Sequence, residues 1–171
     1  MVHPVVLIRQ LGQNGPMTER SGYELPLLLL GAFRSLIEDL HAELGRRGHA
    51  DARPVHGFAL QAIGLDGVTV SELGRRLGVS KQAAGKTANG LERAGYVLRS
   101  RHPDDARAWV LTRTARGTEM LAISAQVFDG LRERWARQLG RKELSGLEAA
   151  LATMASSGRA TSFTDIPGFL S

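Results

Sequence analysis

TVSELGRRLGVSKQAAGKTANGLERAGYV (Thr69–Val97) holds two helix-forming stretches separated by one glycine. Thr69 stands three residues ahead of Glu72, the spacing of a capping box, and predicts a helix with Val70, Leu73 and Leu77 turned inward. Gly78 suits the left-handed position that ends such a helix. Val79 is the expected buried residue of the turn. Ser80 is a good N-cap for a second helix, which runs to about Ala94 and stops at Gly95. On this second helix Ala84, Ala88 and Leu91 form the inward set, while Lys81, Gln82, Gly85, Lys86 and Asn89 face outward. No acid occurs in it before Glu92. Surface helices usually mix acids and bases. Here the first two turns carry only neutral and cationic donors, on the positive end of the helix dipole. Gln and Asn can pair with adenine edges in the major groove, and Lys with guanine or phosphate. The pattern fits a helix-turn-helix whose second helix reads DNA with its N-terminal residues.

Downstream, YVLRSR (96–101) reads as a strand, HPDDA (102–106) as a tight turn and RAWVLT (107–112) as the returning strand. A hairpin beside a reading helix is the wing of a winged helix. Arg107 is placed to enter a minor groove. Asp105 is spaced to pair with it and hold it outward; a weak surface pair is the alternative. Arg75, Arg76, Arg99 and Arg101 read as phosphate or solvent contacts without sequence reading.

The flanks are helical. Leu27, Leu28, Leu30, Phe33, Leu36, Ile37, Leu40 and Leu44 recur at three- and four-residue steps, with Pro26 in a first turn and Gly45 at the stop. The stripe is wide, as for a helix buried against two partners, although a core helix of a monomer would also show it. Pro54 opens a short helix with Val55, Phe58, Ala59, Ala62 and Ile63, ending near Gly64. Thr114 caps a long helix from about Ala115 to Leu139, with Met120, Leu121, Ile123, Val127, Leu131, Trp135 and Leu139 as its apolar set. A last helix carries Leu144, Leu147, Leu151 and Met154. The organisation expected is an arm over 1–21, a single unit over 22–156 and a surface tail over 157–171. Met17 offers an alternative start, which would set residues 1–16 apart. The fold class expected is mainly α with a small β-hairpin wing.

Composition agrees with one packed domain. The 171 residues are 43% hydrophobic and contain no cysteine, which rules out disulfides, thiolate zinc sites and thiol redox sensing. The chain reads as cytoplasmic. No apolar run is long enough to span a membrane, and no signal peptide is evident. Between Ser71 and Arg116 ten Lys/Arg face four acids, a surplus of six, whereas the whole chain carries a net charge of +5. A surplus confined to about a quarter of the chain points to a localised anionic partner, with a solvated basic face as the alternative.

The segment VSELGRRLGVSKQAAGKTANGLERAGYVLRSRHPDDARA, followed by TARG, resembles the winged helix of the MarR family of bacterial transcriptional regulators. The likeness extends as a pattern over about 22–156, with the winged helix at about 54–114. The resemblance implies an obligate homodimer built by helices at about 24–45 and 115–156, repressing from a pseudo-palindromic operator in double-stranded DNA. The DNA contacts implied are Ser71, Ser80, Lys81, Gln82, Gly85, Lys86, Asn89 and Arg107. Four positions depart from the family pattern: Gly85 and Gly90 stand for larger residues, Ala106 for the first of two wing arginines, and Arg113 for a leucine. The resemblance also implies a pocket for an aromatic or phenolic effector, for which Phe33, Ile37, His41, His56, Phe58 and Leu60 are candidates; ordinary core residues are the alternative. Glu38, His41, His49 and His56 form no tight metal motif. No nucleophile elbow, phosphate loop or dinucleotide fingerprint is present, so no catalysis and no cofactor are expected. The competing reading is a winged helix used for protein contact.

Overall fold

The computed structural model describes residues 21–101 and 109–157. Residues 1–20 of the expected arm, residues 102–108 with the HPDDA turn and Arg107, and residues 158–171 of the tail lie outside these residues. The first helix, α1 (Glu24–Arg46), has an acid in its first turn and a base in its last, each complementing the helix dipole. It begins in a unit that ends at Asp39 and finishes in a second unit that begins at Leu40. In the first unit Leu25, Leu29 and Leu30 are exposed. In the second, Leu40 and Leu44 are buried.

The second unit continues with α2 (Pro54–Ile63), β1 (Val68–Thr69), α3 (Val70–Leu77), α4 (Lys81–Arg93), β2 (Val97–Arg101), β3 (Trp109–Arg113), α5 (Ala115–Leu139) and α6 (Arg141–Ser157). The turn between α3 and α4 is locally determined. Thr69 Oγ1 accepts from the Glu72 amide at 3.2 Å. Gly78 sits at φ +65°, where a side chain would be strained, and the Val79 amide donates back to Gly74 O at 2.9 Å. Ser80 Oγ then caps α4 by accepting from the Ala83 amide at 3.2 Å. Val79 is half-buried, not buried as expected. Its main-chain oxygen occupies the space beside Gly74, so the backbone of the turn rather than its side chain packs on α3.

The core is built from Ala59, Leu60 and Ile63 of α2, Leu73 and Leu77 of α3, Ala84, Ala88 and Leu91 of α4, and Val97, Leu111 and Met120 around them. Two alanines on the buried face let α4 lie close to its neighbours. Each fully buried leucine contributes about 2 kcal/mol. The α2 set differs from the expected one: His56 and Leu60 are buried, while Val55 and Phe58 are half-buried.

The sheet has three strands, not the two of a simple hairpin, in the order β1-β3-β2 and antiparallel throughout. Val68 and Thr69 pair with Leu111 and Val110. Two residues cannot show a strand period, so β1 exists only through its partner. On α5, Met120, Ile123 and Leu131 are buried, but Leu139 is exposed and Ala136 takes the inward place at that end. α6 is tied to α5 by Arg132, whose guanidinium meets both oxygens of Glu148 at 2.6 and 2.9 Å. Leu144 is buried, while Leu147, Leu151 and Met154 remain exposed. No described helix is long and apolar enough to cross a membrane.

Candidate nucleic-acid interface

Lys81, Gln82, Lys86 and Asn89 are exposed on α4, opposite the buried Ala84, Ala88 and Leu91. Gly85 is half-buried, and a Cβ there would lie 4.0 Å from Val70 Cγ1, so that position has room for a side chain. Ser71 is exposed on α3, and Ser80 is occupied as the α4 cap. The first two turns of α4 thus present two ammonium groups and a carboxamide beside the unpaired amides of a helix N-terminus.

The acid of α3 is ion-paired. Glu72 receives Arg75 at 2.5 Å and Arg76 at 2.8 Å. Arg76 and then Arg75 hold its carboxyl below the ordinary carboxylate range. Sequence reading gave these arginines to phosphate or solvent; the structure gives them first to Glu72, and Arg76 also donates to Ala62 O at 2.8 Å. Their three- and four-residue spacing from Glu72 was the visible signal. The same pairing takes Glu72 away from the reciprocal half of the capping box. Arg99 is likewise no free phosphate contact, because it binds Asn89 and Glu92 of α4 at 2.7 and 3.2 Å. Arg101 lies over the Trp109 ring, 4.0 Å from its centre, at the root of the β2–β3 hairpin. Arg113, which stands at an apolar position of the family pattern, donates to Gly64 O at 2.5 Å just past α2.

Residues 53–108, which hold this helix-turn-helix and its first wing strand, match the family model described as MarR family. Over those residues the chain is similar to the MarR family. No curated protein matches the chain significantly. Among solved structures, the chain is similar to RV1404 from Mycobacterium tuberculosis, at 21% identity and TM-score 0.67 over 85% of this chain and 99% of that one. It is similar to YusO from Bacillus subtilis, at 20% identity and TM-score 0.61 over 81% and 100%. It is also similar to MepR from S. aureus in a DNA complex, at 20% identity and TM-score 0.59 over 76% and 96%. At these identities the likeness is one of fold.

A polar cluster lies at the C-terminal end of α4. Tyr96 is fully buried and donates to Asp51 Oδ1 at 2.7 Å. His49 Nδ1 stands 3.3 Å from the same hydroxyl. Arg116 meets Asp51 at 3.0 Å and also donates to Ala94 O and Gly48 O. Burial alone would raise Asp51, but Tyr96 and Arg116 together hold it low, and burial followed by Asp51 pushes the Tyr96 phenol up. Of the candidate effector liners, His56 is buried and its Nδ1 accepts from the Arg53 amide at 3.3 Å. Pro54 at the first helical position makes His56 the third residue of α2, where a side chain can reach back to the cap. His56 and Leu60 are both buried. His41 is half-buried on α1 with its Nε2 enclosed and unpartnered, and Phe58 is half-buried on α2. Phe33 and Ile37 are half-buried on the part of α1 before Leu40.

Burial lowers the pKa of both His41 and His56, and the Arg53 charge adds to the effect at His56. In the unfolded chain each ring takes up its proton near 6.5; in the folded chain each does so only at lower pH. Stability is therefore complete above that ordinary value and declines as pH falls through the depressed ones. Asp51 acts in a separate window, below its ordinary 3.8. Urea midpoints should thus be lower at about pH 5.5 than at about pH 7.5. His56→Gln, which can still accept from the cap amide, should reduce that difference. Equal midpoints at the two pH values would contradict the placement of both rings.

Proposed function

We propose that the chain is a sequence-specific DNA-binding transcriptional regulator that acts as a homodimer on a pseudo-palindromic operator. One observation carries the reading: the exposed, acid-free face of Lys81, Gln82 and Lys86 at the N-terminus of α4, whose opposite face is fully buried. A duplex supplies the anionic, groove-shaped partner this face fits. The DNA-bound state of MepR, which shares the fold, supports the same docking. Exposed Leu25, Leu29 and Leu30 on α1, and Leu147, Leu151 and Met154 on α6, support a second copy as partner, since apolar faces of this extent favour burial. The operational division is a winged helix at about 54–114 flanked by dimerisation helices. Repression, and release by an aromatic or phenolic acid, extend the reading from the family. No catalytic step is part of it.

The test is selection of bound sites from random duplex DNA, followed by mobility shifts at two salt concentrations. A palindromic consensus should emerge. Affinity should fall on the order of a thousandfold between roughly 50 and 200 mM salt, as for proteins that neutralise several phosphates. Light scattering should give twice the chain mass. If no duplex is enriched and binding ignores salt, the winged helix serves protein contact instead.

A further inference from the structure

Asn89 and Arg99 stand ten residues apart, one on the outer face of α4 and the other on wing strand β2. Arg99 Nη2 donates to Asn89 Oδ1 at 2.7 Å and also meets Glu92 Oε2 at 3.2 Å. Asn89 is thereby turned. Its carboxamide oxygen is occupied, and Arg93 Nε donates to its main-chain oxygen at 3.3 Å. One of the two lone pairs of Oδ1 is taken, so the group the exposed side chain offers freely is its NH2.

We propose that Arg99 is a positioning residue that draws the Asn89 carboxamide oxygen towards wing strand β2 and so biases Asn89 from adenine towards guanine in the major groove. The inference rests on the DNA-binding reading above. An asparagine recognises adenine by a bidentate pair, accepting from N6–H and donating to N7. With Oδ1 drawn towards Arg99 and one of its lone pairs taken, the accepting half is weakened. The NH2 group can still donate to N7 or O6 of guanine or to O4 of thymine. Guanine, with two acceptors on its edge, is the best match. The ion pair with Glu92 strengthens the hold, because it fixes the guanidinium from a second point on the same helix.

Methionine is the useful replacement at position 99. Arg99 is about three-quarters buried, and its Nε is enclosed without a partner. An apolar chain of similar length keeps the packing and removes that unsatisfied donor, so R99M should fold.

Bound sites are selected from random duplex DNA with the wild type, N89A, R99M and R99K. The position whose base preference disappears in N89A marks the pair that Asn89 meets. There the wild type should select guanine over adenine. R99M should shift the ratio towards adenine by about tenfold, the scale of a recovered bidentate contact. R99K, which can still donate to Oδ1, should keep the guanine preference. Three results overturn the inference while leaving DNA binding intact: an N89A profile identical to wild type, adenine already preferred by the wild type at that position, or R99M weakening all sites equally. A wild type that binds no duplex at all removes the DNA-binding reading, and this one with it.

Discussion

Replacing Lys81 and Lys86 together with alanine should weaken duplex binding roughly a hundredfold at physiological salt. It should also flatten the slope of log affinity against log salt by nearly two for each chain bound, because each phosphate neutralised contributes about 0.9. Both ammonium groups are exposed on the face of α4 that contains no acid. Among the described residues, the acids that flank them in sequence are already paired, Glu72 with Arg75 and Arg76 and Glu92 with Arg99. The fold should not suffer. Alanine is the better helix former by a few tenths of a kcal/mol at most, and neither lysine contributes to the core. The measurement is a salt titration of affinity for the selected operator, with circular dichroism as the control for folding. An unchanged slope in a folded double variant would mean that α4 does not face the phosphates. A slope reduced equally on operator and on unrelated DNA would assign both lysines to the backbone alone, and base reading to Gln82 and Asn89.

The helix-turn-helix was legible because its determinants are local. Thr69, Gly78, Ser80 and Gly95 each act on backbone within a few residues, and each stands where the structure ends or begins an element. The inward set of α4 was legible for the same reason, as a period. What the sequence hid depends on partners far along the chain. β1 is a strand only because β3 comes alongside, forty residues later. Arg99 and Asn89 have no spacing that announces their contact, since one is on a strand and the other on a helix. His56 was a pocket candidate by resemblance alone; its bond to the Arg53 amide depends on Pro54 opening the helix two residues earlier. The arginine pairs on Glu72 were readable and were overlooked, because a charge count treats each base as free. Gly117 is a further instance, drawn from the start of α5: its spacing suggests an ordinary helix position, and only the neighbouring main chain shows otherwise.

Gly117→Ala should destabilise the protein by about 3 kcal/mol, a shift of several degrees in the thermal midpoint at fixed protein concentration. Helix propensity alone predicts the reverse, a gain of about 1 kcal/mol for alanine over glycine. The sign of the effect therefore decides between local preference and packing. A Cβ at Gly117 would stand 2.2 Å from Tyr96 O, 3.1 Å from its carbonyl carbon and 3.4 Å from Leu60 Cδ2. The first two are main-chain atoms, and they cannot withdraw easily. Tyr96 O accepts from the Thr114 amide at 3.1 Å, and the Tyr96 amide donates to Leu91 O at 2.9 Å. Its hydroxyl is anchored on Asp51. Thr114 itself caps α5 through the Gly117 amide and donates to Gly95 O at 2.7 Å. Relief would require α5 to move off the end of α4, breaking a cap and exposing Leu60 and Met120. Gly130→Ala, on the same helix with nothing within 4 Å of the added carbon, is the matched control and should show the small gain that propensity predicts. If both variants gained stability, the first turn of α5 would not be seated on Tyr96. The link from α5 to the end of α4 would then be absent.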